Sequence, residues 1–346
     1  MVSLKTCQFG VLFVCFSLRL SFFFHYFVAV TPLVMNNQTD VTEFIFLGFS
    51  NHPNLQGLFF LIFLVIYLTT LLGNTLIIIS TGISSALHTP MYYFLSNLSF
   101  LDICYTSTTI PVMLMNFFRE KKTISYAGCL TQMYFIYVLA NIDSCLLVVM
   151  AFDSYVAICD PFHYVTIMNR RRCVLLVAFS CSLPHFHSLL HTLLLNQVTF
   201  CDSNIIHHFL CDFSPLVKLS CSSTFVNEIV MMIEGSVFLV TPFLCIAFSY
   251  IRILLAVLKI PSAAGKRKAF STCGSHLTVV TLFYGSIFYV YLQPVSTYTV
   301  RDHMATIVHT ILSSMLNPFI YSLRNKDLKQ GLRKVVGRRH LQAATS

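Results

Sequence analysis

The chain has 346 residues, 56% of them hydrophobic and 10% charged, with a mean hydropathy of +0.75. Soluble domains carry about 25% charged residues, so this composition excludes an ordinary soluble protein and points to a bilayer. The formal charge of +9 matters less than its placement, because Lys and Arg gather at Arg170–Arg172, Lys266–Lys268 and Arg324–Arg339, each beside an apolar run. Solvated basic faces or a nucleic-acid surface are the competing reading; the apolar flanks favour the positive-inside pattern of a membrane protein with no nucleic-acid partner.

In chain order, residues 9–30 form an apolar run interrupted by Arg19 and His25. Three readings of residues 1–34 stay open: a signal peptide with Lys5 as a thin n-region, a signal anchor, or an extension upstream of a start at Met35. Residues 35–56 form a polar segment in which Asn37-Gln38-Thr39 is a glycosylation sequon. A span needs about 20 mostly apolar residues. Seven candidates follow, at 57–80, 91–114, 130–155, 173–195, 228–256, 269–293 and 304–322, so that 57–322 reads as one membrane domain and 323–346 as a tail. The basic clusters follow spans three, five and seven, which share one face; positive-inside makes that face cytoplasmic and puts residues 35–56 outside. A second sequon, at Asn97, lies within span two and is discounted.

Of 13 cysteines, most lie singly in spans, where a thiol is a small hydrophobe. Cys129, Cys201, Cys211 and Cys221 fall in outer segments, where the oxidising environment favours disulfides. Four cysteines allow three pairings, and spacing does not choose among them. His185, His187, His191, His207 and His208 make the outer region histidine-rich. Imidazoles bind copper and zinc, but loop packing and helix contacts are the plainer reading.

Ionisable residues inside a membrane are expensive and usually functional. Few occur here: Asp102 in span two and Asp143 in span three, with Asn74 in span one and Asn317-Pro318 in span seven. Pro318 removes a backbone hydrogen bond and suits a hinge. Met133, Ile136, Tyr137, Ala140 and Asn141 share one face of span three, and Tyr284, Ile287, Phe288 and Tyr291 one face of span six. Such stripes are ordinary helix packing or the walls of an apolar pocket with a few polar groups. Glu234 in span five is a further wall candidate.

Four long strings carry the strongest signal: PMYYFLSNLSFLD (90–102), MAFDSYVAICDPFHY (150–164), KAFSTCGSHL (268–277) and LNPFIYSLRN (316–325). With MNNQTDVTEFIFLGFS (35–50) they resemble odorant receptors, a branch of the rhodopsin-like G-protein-coupled receptors, over about residues 35–336. The resemblance implies an all-α membrane protein, a seven-transmembrane helix bundle with a short amphipathic C-terminal helix, in the plasma membrane and in contact with lipid. It implies the pairings Cys129–Cys211 and Cys201–Cys221. It brings Asn74, Asp102, Asp143 and Asn317 together midway through the bundle. Two carboxylates in one apolar cavity repel, so Asp102 and Asp143 are expected to share a sodium ion or a proton; a purely structural hydrogen-bond network is the alternative.

The resemblance also places a small-molecule odorant between helices three, five, six and seven, beneath the outer loop. No carboxylate in the outer half of span three offers an amine counter-ion, so a neutral, volatile ligand is expected. The implied partner is a stimulatory, olfactory-type heterotrimeric G protein. Tyr250 and Tyr321 match the tyrosines that swing inward on activation. Asp153-Ser154-Tyr155 stands where the family has Asp-Arg-Tyr, and a serine has neither the charge nor the reach of that arginine. Weak coupling or altered basal output is therefore expected, with Arg170–Arg172 as a partial substitute. The competing classes are a receptor-like product that no longer signals, a transporter and an intramembrane enzyme. No internal repeat supports the transporter, and no HExxH or GxSxG the enzyme. Cys273-Gly274-Ser275-His276 belongs to one of the family strings.

Overall fold

The computed structural model describes residues 41–47, 55–201, 203–291, 307, 311–325 and 327–333. Its long helices are α1 (Gln56–Ile83), α2 (Pro90–Phe117), α3 (Tyr126–Cys159), α4 (Arg170–Asn196), α5 (Phe225–Leu258), α6 (Ala263–Tyr291) and α7 (Ser313–Arg324). Of these, α1 to α5 are long and apolar enough to cross a membrane. Helices α1 to α5 outrun the apolar windows read from sequence at both ends, and α6 at its start, because hydropathy reports where lipid ends, not where backbone hydrogen bonding ends; residues 292–293, 304–306 and 308–310 of the last two windows lie outside the described residues. Thus α4 begins at Arg170 and α6 at Ala263, each carrying its basic cluster in its first turns.

Local chemistry sets the starts. Pro90 opens α2, where its missing N–H costs nothing. Ser125 caps α3 by accepting from the Gly128 amide at 3.1 Å, and Asn169 caps α4 by accepting from the Arg172 amide at 3.0 Å. A π-helical stretch, Ser236–Val240, interrupts α5.

The bundle is organised around α3, which packs against α2, α4, α5 and α6; α7 closes the ring against α1, α2 and α6. In the most apolar window of α3, 61% of residues are buried, against 22% in α1, so α3 is the central helix and α1 a peripheral one. The outward faces are apolar. On α1 the exposed residues include Leu58, Leu61, Val65, Leu68 and Leu72; on α5 they include Leu244, Phe248, Ile251, Leu255 and Leu258. These are helical stripes, at three- and four-residue spacing, that only lipid can cover. The polar side chains Asn74, Asp102, Asp143 and Asn317 are buried instead.

A small sheet caps the end of the bundle that holds Cys129, an addition to the all-helical expectation. Strand β1 (Glu43–Phe46) lies between β2 (Thr123–Ser125), antiparallel, and β3 (Ile205–Ile206), parallel. Phe44 is fully buried, with its ring 6.0 Å from Tyr126 and 5.5 Å from Phe200. Burying such a ring is worth about 1.5–3 kcal/mol. At the opposite end, residues 327–333 form the short C-terminal helix. Leu328 is fully buried, and Gly331 approaches Leu87 so closely that a Cβ would sit 2.8 Å from its methyl carbon. The Tyr92 hydroxyl and the Leu328 amide both donate to Asn325 Oδ1, at 2.9 and 3.0 Å. These bonds tie the helix to the start of α2.

Candidate functional site

Midway through the bundle, the polar residues of four helices gather. Pro318 has no N–H, so the Ser314 carbonyl one turn earlier loses its helical donor. Asn74 Nδ2 supplies it, donating to Ser314 O at 3.1 Å and to Thr70 O in its own helix at 3.1 Å. The preceding Gly73 makes this approach possible, since a Cβ there would lie 3.1 Å from the Pro318 ring. One residue before Pro318, Asn317 Nδ2 donates to both carboxylate oxygens of Asp102, at 3.1 and 2.9 Å. Asp143 is near enough to Asp102 for the two charges to interact. Several buried oxygens here have no hydrogen-bond partner among the described residues: Asp143 Oδ1, Asn317 Oδ1, Asn74 Oδ1, Ser313 Oγ and Tyr321 Oη. Buried oxygens that point at no donor are suited to a hard cation or to ordered water.

One helical step beyond Asp143, Ser144 joins three helices. Its hydroxyl donates to Phe238 O in the π-helical stretch of α5 at 2.9 Å. Its one proton being spent, it accepts from Tyr284 of α6 at 2.8 Å. The sequence reading did not select Ser144; a lone serine in an apolar span gives no signal until its neighbours are known. Tyr284 and Ile287 are buried, while Phe288 is half-buried with its ring 5.1 Å from Phe243. The side chains of Glu234 and Tyr291 lie outside the described residues.

Toward the sheet-capped end, Met133 and Ile136 are buried, whereas Tyr137, Ala140 and Asn141 are half-buried on the most buried helix. Their partners differ. The Tyr137 hydroxyl donates to Asp212 Oδ1 at 2.8 Å, and Asn141 Nδ2 meets His187 Nδ1 at 3.2 Å. Asp212 therefore brings a loop carboxylate to this region, which inspection of span three alone misses. Asp212 is buried, and its Oδ1 also accepts from the Phe213 amide at 2.8 Å. Two of the histidines meet, the His187 and His191 rings lying 5.1 Å apart with Phe238 4.4 Å from His187, while His185 Nδ1 meets the Tyr134 hydroxyl at 2.8 Å and His208 Nδ1 accepts from the Leu210 amide at 3.2 Å. Among the described residues no cluster of three or more His, Cys, Asp or Glu could hold a metal.

Disulfides join Cys129 to Cys211 and Cys201 to Cys221. The Cys211 amide also donates to Gln132 Oε1 at 3.0 Å, and Gln132 Nε2 donates to Thr108 O at 3.3 Å. Covalent and hydrogen bonds together fasten the long loop across α2 and α3. Asn37 lies outside the described residues.

At the other end of α3, Asp153 is buried and accepts from the Tyr164 hydroxyl at 2.9 Å. Tyr164 belongs to a short helical turn, Tyr164–Ile167. Arg170–Arg172 do not take the place of the missing arginine; they are exposed, and the ion pair among the described residues is His163–Asp160 at 2.8 Å. Ser154 turns its hydroxyl back to Met150 O at 3.0 Å, and the half-buried Tyr155 stacks on Phe152 at 6.5 Å. Beside Ser154, Tyr250 of α5 meets His276 Nδ1 of α6 at 2.7 Å. Tyr321 is buried in α7. Phe162 and Val165 project from the loop at 95% and 81% exposure, a protrusion the string match did not single out.

A seven-helix bundle with a disulfide from its third helix to the long loop, a buried Asp–Asn pair and a proline-broken seventh helix defines a rhodopsin-like G-protein-coupled receptor. A family profile described as "Olfactory receptor" matches residues 63–339. Human olfactory receptor 1L8 is 71% identical over 305 residues, covering 88% of this chain and 99% of its own. Human olfactory receptor 1L1 is 60% identical over 329 residues, covering 95% and 90%, and rat olfactory receptor 1f45 is 53% identical over 304, covering 88% and 97%. The chain belongs to the olfactory receptor family. It is thus a multi-pass odorant receptor of the plasma membrane, not an enzyme.

Proposed function

We propose that this receptor binds small, neutral, volatile odorants within the bundle and activates a stimulatory, olfactory-type heterotrimeric G protein, with coupling weakened by Ser154. The observation carrying the ligand reading is that the half-buried Tyr137 and Asn141 share one face of the central helix with Ala140 and turn their polar atoms to Asp212 of the loop and His187 of α4. In this reading these residues and Tyr284, Ile287 and Phe288 of α6 would supply apolar walls with hydroxyl and amide groups. Glu234 and Tyr291 complete the proposed wall. Asp212 is engaged by Tyr137 and the Phe213 amide, which is consistent with an uncharged ligand rather than an amine. The N-terminus and Asn37 lie outside in this reading, and the basic starts of α4 and α6 and the C-terminal helix lie in the cytoplasm.

G-protein engagement is proposed at the Asp153–Tyr155 end. Asp153 is held by Tyr164, and Phe162 and Val165 extend beyond the bundle as an apolar contact. Tyr250, Asn317, Pro318 and Tyr321 would carry the rearrangement of α5 and α7. The orphaned oxygens around Asp102 and Asp143 fit a sodium ion; when bound, it would neutralise carboxylates that otherwise repel. A second reading, a receptor fold that no longer signals, is favoured by one fact: the Ser154 hydroxyl is spent on its own helix.

The test is a cell cyclic-AMP assay over an odorant panel with the native chain, Phe162→Ala and Ser154→Arg at matched surface expression. An agonist should give a response that Phe162→Ala lowers and Ser154→Arg raises. Equal responses from native and Ser154→Arg would sink the weakened-coupling argument; silence from the native chain with rescue by Ser154→Arg would establish the second reading.

A further inference from the structure

Between α5 and α6, at the Asp153 end, runs a groove of about 240 Å³. Ala247, Leu254 and Val257 form one wall and Ala269, Phe270 and Leu277 the other, with Tyr250 and Cys273 as its floor. The outward faces of α1 and the rest of α5 present Leu and Phe stripes that any lipid tail can cover. Here two alanines leave a concave apolar slot instead. Basic residues lie in the chain just beyond the lining residues Val257 and Ala269. Lys259 follows Val257 by two positions, and Lys266 and Arg267 precede Ala269 by three and two. Lys259 and Arg267 are exposed and Lys266 is half-exposed, and none of them enters an ion pair among the described residues. No Asp or Glu occurs between Glu234 and Asp302, so no acid on these two helices neutralises those cations.

We propose that this groove is a binding site for an anionic phospholipid. One acyl chain lies in the slot against Tyr250 and Cys273, and the headgroup rests on Lys259, Lys266 and Arg267. The chemistry is complementary at both ends: a dry slot for the chain, and uncompensated cations where a membrane surface carries its negative lipids. The proposal rests on the orientation given above, because anionic phospholipids line the cytoplasmic leaflet. Its consequence is conformational. A chain in the slot packs on Tyr250, whose hydroxyl meets His276 across the α5–α6 seam at 2.7 Å, and so favours the present spacing of the two helices.

The full chain would be placed in nanodiscs of equimolar phosphatidylcholine and phosphatidylserine, released into mild detergent, and its retained lipids counted by native mass spectrometry. Phosphatidylserine should be retained preferentially, the preference falling roughly five-fold for each of Lys259→Gln, Lys266→Gln and Arg267→Gln. Ala269→Phe, or Ala247→Leu where that variant does not fold, should reduce retention of phosphatidylserine by filling the slot. Arg170→Gln with Arg171→Gln should leave the preference intact. No preference in the native chain, equal loss in the Arg170 and Arg171 control, or undiminished retention in both alanine variants would overturn the site. The count needs neither odorant nor G protein, so it fails independently of the receptor reading. Antibody access to a C-terminal tag on intact cells separately tests the orientation.

Discussion

Ser154 changes what its neighbours do. An arginine there would satisfy Asp153 by charge; instead a neutral phenol from the next loop, Tyr164, donates to that carboxylate at 2.9 Å. Burial, and then the nearby Asp153 charge, push the Tyr164 phenol above its ordinary range, so it stays protonated, and a donor, through neutral pH. The bond keeps the assistance of the carboxylate charge, but the junction now holds one charged partner, not two. Deeper in the bundle, Asp143 Oδ1 has no donor while Asp102 has Asn317. If sodium sits between the carboxylates, purified receptor should melt higher in sodium chloride than in choline chloride at equal ionic strength. Asp143→Asn should abolish that difference. A salt response identical in native and variant protein would assign the pair to a hydrogen-bond network.

At the scale of elements, Pro318, Asn74 and Gly73 form one device. The proline removes a donor from α7, the asparagine returns it from α1, and the glycine allows the approach. Gly73→Val adds branched bulk where even a Cβ would lie 3.1 Å from a rigid ring. Overpacking of this kind costs about 1–3 kcal/mol; the variant should melt several degrees lower in detergent, whereas Gly82→Ala, with open space around it, should not. Asn74 and Asn317-Pro318 could be noted from sequence because polar groups are rare in such spans. What Asn74 bonds could not, because 240 positions separate it from the Ser314 carbonyl and only the closed ring of helices brings them together. The sheet was less legible still. Strands of four, three and two residues are too short for an alternating pattern, and each exists only because the others lie beside it.

The whole molecule is an inverted solution of the usual problem, with leucine and phenylalanine stripes outside and asparagine, aspartate and tyrosine within. Its sheet-capped end is stapled by Cys129–Cys211, which spans 82 positions. Losing such a crosslink costs about 2–5 kcal/mol. Cys129→Ser should therefore cut surface expression sharply, as measured by flow cytometry of intact cells, with Cys104→Ser, a free cysteine within α2, as the unaffected comparison. Hydropathy and basic-residue placement alone indicated a chain that spans a bilayer and marked where α1 to α5 lie, because lipid imposes one apolar period and one charge asymmetry on any helix. Four ordered strings determined its family. The tertiary structure alone decided which polar atoms meet (Asp153 with Tyr164 and not Arg170–Arg172, Asn141 with His187, Ser144 with both Phe238 and Tyr284) and that an apolar groove runs between α5 and α6. Hydrogen bonds and cavities depend on distances of a few ångströms between helices far apart in sequence, and those distances follow from how all the helices pack at once.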